Sequence, residues 1–545
     1  MEPKKILITA ALPYANGPLH LGHIRSTYLP ADICARYNRL KGNETLYICA
    51  SDEHGTPIVF NAEKEGKSPK EFVDYYHEKD KQEFEALGFS MDIFHRTSSK
   101  ENVEMTQHFF LRLKENGHVY KKSVEQYYCP KENRFLPDRY VRGTCPYCGA
   151  DEQYSDQCES CGRTLKPGEI QNPKCAVCKT PPILKETEHY FFALSKFSEK
   201  LKGWIENNPE FQVEVKNFVL NWIEEGLRDW DITRNLNWGV PVPDEKNLVF
   251  YVWFDAPIGY LSSTVALTKK WQEFWKNKNA KIIHFIGKDI TYHHYLFWPA
   301  MLMGTDENFN LPNAIPVRGY LNLEQKKFSK SRGWYITLGD YLKIFHPDFL
   351  RYYETAITPH APTDASFSLE EFKDRVNNEL VANFANLAFR ILSLMNKKLD
   401  GKIEESKLDK HGELLIEKII EESKEIDALY ENYEYKAALE KAMHLSSEVN
   451  RYISEREPWK ETDQEKIRQT LYTSLISLFY VSILLEPIIP FTSRKFWKML
   501  QVDEKSVRWS DVGKRKIEKL KLENVEHLLD KITDEQIGEM RKLLE

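Results

Sequence analysis

The sequence predicts an α/β protein: a parallel sheet with helices on its faces, split by a cysteine-rich insertion and followed by an all-helical bundle. Three observations predict it. Short apolar runs alternate with helical periodicity through the N-terminal part. Seven of the nine cysteines lie between Cys129 and Cys178. From about Asp374 onward, long amphipathic segments replace the alternation.

Residues 5–10 read as a buried strand, a Pro/Gly turn follows, and a helix runs from about 21 to 37. Residues 46–50 form a second strand, and 70–87 and 101–116 carry helical periodicity. Residues 127–185 are rich in Cys, Gly and Pro and read as a metal-stapled insertion. Strands resume at 250–253, 282–286 and 315–317, with a helix near 293–303 between the last two. Amphipathic helices then cover 381–398, 412–430, 435–456, 464–485 and 533–544. Pro458, Pro487 and Pro490 punctuate them. These patterns divide the chain into 1–117 and 227–323 as two halves of one sheet domain, with 118–226 as the insertion. Residues 324–376 follow as a lysine-bearing loop and linker, and 377–545 as the bundle.

The chain has 545 residues, 41% of them apolar and 13% aromatic, which suits a globular protein of several domains. No run of eighteen apolar residues is present, so no membrane span is expected. The opening MEPKKILITAALPYANG is broken early by Pro13, Asn16 and Gly17, which argues for a first strand over a signal peptide and for a cytoplasmic protein. A net charge of −6 excludes a generally basic nucleic-acid binder, so an RNA partner needs local basic patches.

Three motifs carry chemistry. Pro13-Tyr14-Ala15-Asn16-Gly17-Pro18-Leu19-His20-Leu21-Gly22-His23 ends a strand in a turn and starts a helix at two histidines. A helix N-terminus offers N–H groups and a positive dipole end to phosphates, and imidazoles can add donors. Gly22 would let a base approach the backbone. The competing reading is a strand–helix turn with incidental histidines. Lys327-Phe328-Ser329-Lys330-Ser331 is a polar loop with two lysines and two serines, suited to holding leaving phosphates. A solvated basic loop is its competing reading. Cys145-x2-Cys148 and Cys158-x2-Cys161 have the spacing of a four-cysteine zinc site, which outweighs a redox dithiol, and Cys129, Cys175 and Cys178 point to a second site.

Together the first two motifs resemble the HIGH and KMSKS signatures of class I aminoacyl-tRNA synthetases, here as HLGH and with Phe328 in place of Met. Trp230-Asp231-Ile232-Thr233-Arg234 and Trp238-Gly239-Val240-Pro241 are similar to the branch that handles aliphatic and sulfur-containing amino acids. Ala11-Leu12-Pro13-Tyr14, the run from Phe250 to Tyr260 and the run from Phe285 to His294 resemble the methionyl-tRNA synthetase family. The resemblance runs from Lys5 to about Trp459.

It implies a Rossmann-like catalytic domain split by a zinc-knuckle connective insertion, followed by an anticodon-binding helix bundle. It implies an AMP-forming ligase that uses ATP with Mg2+, methionine, and tRNA(Met) including the initiator. His20, His23, Lys327 and Lys330 are the expected catalytic residues. Pro13, Tyr14, Asn16, Gly17, Gly22, Asp289, Ser329 and Ser331 join them around ATP. Leu12, Tyr14, Asp52, Arg234, Trp253, Ala256, Pro257, Tyr260 and His294 are expected around methionine, with Asp52 on the ammonium. Asn386, Arg390 and Trp459 match anticodon-reading positions. The resemblance also makes Cys145, Cys148, Cys158 and Cys161 a structural zinc site. In the second site Glu132 stands where the family has a fourth cysteine, so that metal is either lost or held by three cysteines and an oxygen. The absence of a large editing insertion argues against the isoleucine, valine and leucine enzymes. A monomer is expected, with a separate tRNA-binding partner chain left open. Another class I synthetase, and a non-catalytic zinc-knuckle RNA-binding protein descended from one, are the rival readings.

Overall fold

A computed structural model describes residues 3–136, 140–155, 158, 160–161, 163, 165, 168–327, 334–518 and 520–544. Five parallel strands form the central sheet, in the order Val317–Arg318, Lys281–Gly287, Lys5–Ala10, Glu44–Ser51, Ile93–Arg96. The first strand is central, and the chain builds outward from it to one side and later to the other. Its carboxyl end is therefore the switch point where an open α/β sheet leaves a crevice for ligands. Ile6, Leu7, Ile8 and Ala10 are buried because helices cover both faces, so the strand reads as a continuous apolar run.

The helix expected after the first motif is helical from Leu21 to Leu40, in three pieces: Leu21–His23, a π turn at Ile24–Tyr28, and Leu29–Leu40. The strands expected at 282–286 and 46–50, and the helices at 70–87 and 101–116, are present as Lys281–Gly287, Glu44–Ser51, Pro69–Ala86 and Lys100–Glu115. Two expectations need correction. Of the expected 250–253 strand only Phe250 pairs, in the two-residue strand Val249–Phe250 against Thr233–Arg234; Val252–Asp255 is a helical turn. A short buried run of β-branched and aromatic residues has no periodicity to separate strand from helix, and here Asp255 turns inward to His54. The strand expected at 315–317 pairs only over Val317–Arg318, since Pro316 has no N–H to give the ladder.

The insertion stands on a long antiparallel ribbon, Val119–Cys129 against Ile183–Phe192, joined by ten cross-strand pairs. Its tip has a small core of its own that includes Tyr127, Leu136, Tyr140, Val141 and Ile170. The C-terminal bundle is built from Asn386–Leu399, Lys410–Glu431, Tyr435–Arg456, Gln464–Leu485 and Pro490–Met499. Asp409 and Asp463 cap the starts of two of these helices with side-chain oxygens.

Sheet domain and bundle meet over buried charge. Arg36 and Arg351 both reach Asp32 Oδ2 at 2.7 Å, Arg36 reaches Glu486 at 3.1 Å, and Arg351 donates to the carbonyls of Pro487 and Ile488. The two guanidinium groups hold the Asp32 carboxyl well below the usual carboxylate range despite its burial. The helix that starts at His20 is thus anchored at its far side in the bundle. Among the described residues, no helix is long and apolar enough to cross a membrane.

Candidate active site and metal knuckles

A cavity of about 740 Å³ opens at the carboxyl ends of the central strands. Ala11 to Tyr14 follow the first strand into it, Asp52 follows the second, and Gly287 and Asp289 follow the fourth. Residues expected around methionine all line it: Leu12, Tyr14, Asp52, Arg234, Trp253, Ala256, Pro257, Tyr260 and His294. From the expected nucleotide set, Pro13, Tyr14, His20, Gly22, His23 and Asp289 line it, whereas Asn16 and Gly17 do not. Residues 328–333, and with them Ser329, Lys330 and Ser331, lie outside the described residues, as does the side chain of Lys327.

The two ends of that lysine loop are nonetheless placed. On the way in, Leu321–Leu323 pairs with Lys326–Lys327, and Leu321 packs beside Gly22. On the way out, Leu21 N–H donates to Ile336 O, and Leu338 N–H donates to Leu19 O. His20 thereby forms an antiparallel bridge with Thr337. The described residues on either side of the loop are thus held by the histidine motif itself.

His20 sits in extended conformation at the N-cap, and its N–H donates to His23 Nδ1 at 3.1 Å. A neutral His23 must then carry its proton on Nε2, as a donor. The two rings stack at 3.7 Å. A Cβ on Gly22 would lie 3.1 Å from the His20 ring, so the glycine is what permits this packing. Gly287 does the same for Asp289, whose carboxylate would meet a Cβ there at 2.5 Å.

At the inner end, Tyr260 Oη lies 2.7 Å from His294 Nε2, and His294 Nδ1 lies 3.0 Å from Ile290 O. A carbonyl only accepts, so the Nδ1 proton is given to Ile290. Burial pushes the His294 pKa down to about 4, which leaves Nε2 as an acceptor of the Tyr260 proton. Asp52 is buried with Oδ1 lacking any hydrogen-bond partner among the described residues. Burial first, then the neighbouring Asp255 carboxyl, push its pKa well above the ordinary range. Tyr14 Oη donates to the carbonyl of His54, and His54 Nδ1 lies 2.7 Å from Asp255. Arg234 lies over the Tyr251 ring at 4.1 Å and donates to the carbonyls of Asp231 and Thr233.

Sequence reasoning gave no site role to His293, which stacks on Trp253 at 3.8 Å, or to Trp238, noted there only as part of a family motif, whose indole donates to Glu53 O. The histidine doublet before Tyr295 was the one available signal for the first.

In the insertion, Cys145, Cys148, Cys158 and Cys161 bring four sulfurs within 4.8 Å of one another. Cys145–Cys161 and Cys148–Cys158 are 3.9 and 3.6 Å apart. Zinc–sulfur arms of about 2.3 Å set at tetrahedral angles require sulfurs about 3.8 Å apart, so the quartet fits zinc. Cys129, Cys175 and Cys178 form a second cluster, with Cys129 and Cys178 at 3.4 Å. Glu132 N–H donates to Cys129 Sγ at 3.4 Å, as Cys161 N–H does to Cys158 Sγ. Asn133 and Lys179 then take positive φ, as Gly149 does after Cys148. The Cys129–Glu132 turn therefore folds as a knuckle with Glu132 at its second corner, although the Glu132 carboxylate is not gathered with the three sulfurs.

In the bundle, Arg390 lies 5.8 Å from the Trp459 ring centroid, donates to Asn450, and sits one turn beyond Asn386 on one helix. Trp459 is 37% exposed.

Comparison with known proteins agrees with this geometry. The family described as tRNA synthetases class I (M) matches residues 6–392, and the anticodon-binding domain of tRNA ligase matches 414–543. The chain belongs to the class I aminoacyl-tRNA synthetases. The methionine–tRNA ligase of Methanopyrus kandleri is 42% identical over 99% of this chain and 82% of its own length. That of Pyrococcus horikoshii is 45% identical over 98% of this chain and 76% of its own. A Mycobacterium tuberculosis methionyl-tRNA synthetase in complex with methionyl-adenylate superposes with a TM-score of 0.80 at 25% identity, covering 97% of this chain and 99% of that one. Within the class, the chain is a member of the methionine–tRNA ligase family.

Proposed function

We propose that the protein activates methionine with ATP and transfers it to the terminal adenosine of tRNA(Met), for initiation and elongation. One observation carries this reading: a histidine-bearing helix start and both described ends of a lysine loop are pinned together at one cavity whose walls include Leu12, Trp253, Ala256 and Pro257. A methionine carboxylate oxygen attacks the α-phosphorus, and the bond to the β-phosphate oxygen breaks with its electrons going to pyrophosphate. A ribose hydroxyl of the tRNA terminus then attacks the carbonyl of the adenylate and AMP leaves. Mg2+ accompanies ATP and neutralises phosphate charge.

His20 and His23 hold phosphate oxygens, and Lys327 and Lys330 of the loop hold the leaving group, with Ser329 and Ser331 beside them. Catalysis of this kind is positioning and charge stabilisation. Asp289 faces the adenylate's ribose or ammonium, Arg234 the carboxylate, and Asp52 the ammonium. Leu12, Trp253, Ala256, Pro257, Tyr260 and His294 enclose the side chain, a polarizable thioether that suits apolar and aromatic walls. ATP–pyrophosphate exchange tested across the twenty amino acids will proceed with methionine; exchange driven by any other amino acid in its place overturns the assignment.

Residues 1–117 and 227–323 form the catalytic domain, 118–226 the connective insertion, 324–376 the loop and linker, and 377–545 the anticodon-binding bundle. Asn386, Arg390 and Trp459 read the anticodon, with Trp459 as a stacking platform for an unpaired base. Stacking on an aromatic is worth about 1–3 kcal/mol per base. Trp459→Ala should therefore lower the kcat/KM of tRNA charging about 10- to 100-fold and leave exchange unchanged. Equal loss of both would contradict an anticodon role.

The Cys145 quartet holds a structural zinc, since four thiolates leave no open position for catalysis. The Cys129 cluster holds a second, completed by the Glu132 carboxylate. Metal analysis of the purified chain is expected to return two zinc per chain, and Glu132→Ala to lower the count to one; a count of one without substitution rules the second site out. The protein acts in the cytoplasm as a monomer with respect to this chemistry.

A further inference from the structure

Arg25 follows His23 by two residues, in the π turn of the helix that starts at His20, and it is 1% exposed. Its fork reaches two segments far away in sequence. Nη1 donates to Gly319 O at 2.8 Å and to Tyr320 O at 3.2 Å, Nη2 to Thr363 O at 3.3 Å, and Nε to Thr358 Oγ1 at 2.9 Å. All four acceptors are neutral. Burial lowers the Arg25 pKa to about 10, so the group stays charged at neutral pH. The buried Glu354 carboxyl has neither oxygen partnered among the described residues, and burial pushes its pKa well above the carboxylate range, so it supplies no full counter-charge. Apolar groups often replace buried charge without loss of stability, so what this arginine adds is geometry. A planar guanidinium fixes several acceptors at once, which a lysine point charge does not.

The two segments form one body. Leu321–Leu323 pairs in parallel with Ala365–Phe367, Asp364 accepts the Tyr320 N–H at 2.8 Å, and a Cβ on Gly319 would lie 2.3 Å from the Thr363 carbonyl. Tyr320, Leu321 and Asn322 line the cavity together with His20, Gly22 and His23. Backbone bonds at Leu21 and Leu338 fasten the far side of the lysine loop to the histidine motif; Arg25 fastens the near side. We propose that Arg25 is a positioning residue for the reaction at the nucleotide: its guanidinium fork sets the separation between the His20–His23 helix start and the Tyr320–Asn322 wall of the cavity. This rests on the reading of the cavity as the ATP site. Misplacement by about 1 Å, even from a change far from the chemistry, can cost about 10²-fold in rate. The methionine end stands on other elements, with Leu12 after the first strand, Tyr260 on the helix Ile258–Leu267 and His294 in the turn His293–Phe297.

The test separates the two ends of the cavity. In Arg25→Met, the kcat of ATP–pyrophosphate exchange per titrated active site is expected to fall about 10- to 100-fold and the KM for ATP to rise about tenfold. Methionine affinity without ATP, read by isothermal titration, is expected to stay unchanged. Arg25→Lys keeps the charge and loses the fork, and its kcat is expected to lie between the two. Glu354→Gln alone should leave all three quantities as they are. Where Arg25→Met by itself folds poorly, the double variant Arg25→Met with Glu354→Gln, which leaves no ionisable carboxyl beside the gap, is read by the same three quantities. An unchanged kcat per site and KM for ATP overturn the inference, and so does an equal weakening of ATP and methionine, which marks a general role in stability. Absence of methionine-dependent exchange in the unsubstituted protein overturns the reading of the cavity, and this inference with it. Normal exchange there and in Arg25→Met overturns the inference alone.

Discussion

His23→Ala is expected to lower the kcat of methionyl-adenylate formation by about 10²–10³-fold, the usual effect of deleting one preorganised donor to developing negative charge. His23 Nδ1 already accepts the N–H of His20, which fixes the Nε2 proton as the donor directed at phosphate. The loss falls on kcat because the charge it meets is greatest in the transition state, and the KM for methionine is expected to change little. His23→Gln places an amide N–H near the same point and should recover about a tenth or more of the lost rate, on the same donor argument. The fold is not at stake. His20 keeps its backbone bridge to Thr337, and the strand before it keeps both neighbours. Exchange rates for His23→Ala within a factor of two or so of the unsubstituted protein would remove this residue from the phosphate site.

Much of the fold was legible because its elements carry strong local signals. The strand Lys5–Ala10 is apolar throughout, as burial on both faces demands. Tyr435–Arg456 and Gln464–Leu485 begin and end where periodicity and proline place them. The ribbon was not legible. Much of Val119–Cys129 is exposed, so no alternation marks it as a strand, and its partner arrives only after the whole knuckle region. Nor was the buried charge at the domain junction. Asp32 and Arg36 are spaced like a surface ion pair on a helix, and only Arg351, 319 residues away, together with Glu486 turns that spacing into an interior network.

The site was legible where a motif joins residues close in sequence. HLGH marked the helix start, and C-x2-C spacing marked the Cys145 quartet and the Cys175–Cys178 half of the second cluster. Roles that arise from packing were silent. That Tyr260 donates to His294, and that His293 stacks on Trp253, depends on a carbonyl at Ile290 and on where the fold brings the rings. No spacing rule encodes a tautomer; it is set by whichever group the fold brings to the other nitrogen.

Asp52→Asn is expected to lower kcat/KM for methionine by about 10²–10³-fold while leaving the KM for ATP nearly unchanged. Removing one partner of a buried charge pair costs about 3–5 kcal/mol, and each 1.4 kcal/mol is tenfold. The carboxyl is ready for an incoming cation in a specific sense: it is buried, Oδ1 has no partner, and burial with Asp255 nearby favours its protonated form. An ammonium beside it reverses that preference, because an opposite charge at contact favours the carboxylate. Binding methionine must then expel a proton from Asp52. The sign follows: with the free-enzyme pKa raised, raising pH through it removes the proton in advance, so methionine affinity increases with pH on the acid side. That limb ends where the substrate's own amino group deprotonates. In Asp52→Asn no proton is displaced, and the acid limb of KM for methionine against pH should flatten. Isothermal titration in two buffers of different ionisation enthalpy reads the proton directly. Release on binding to the unsubstituted protein and none in Asp52→Asn is the expected pair; identical proton balance in both would move the ammonium to another carboxylate in the cavity, with Asp289 the next to substitute.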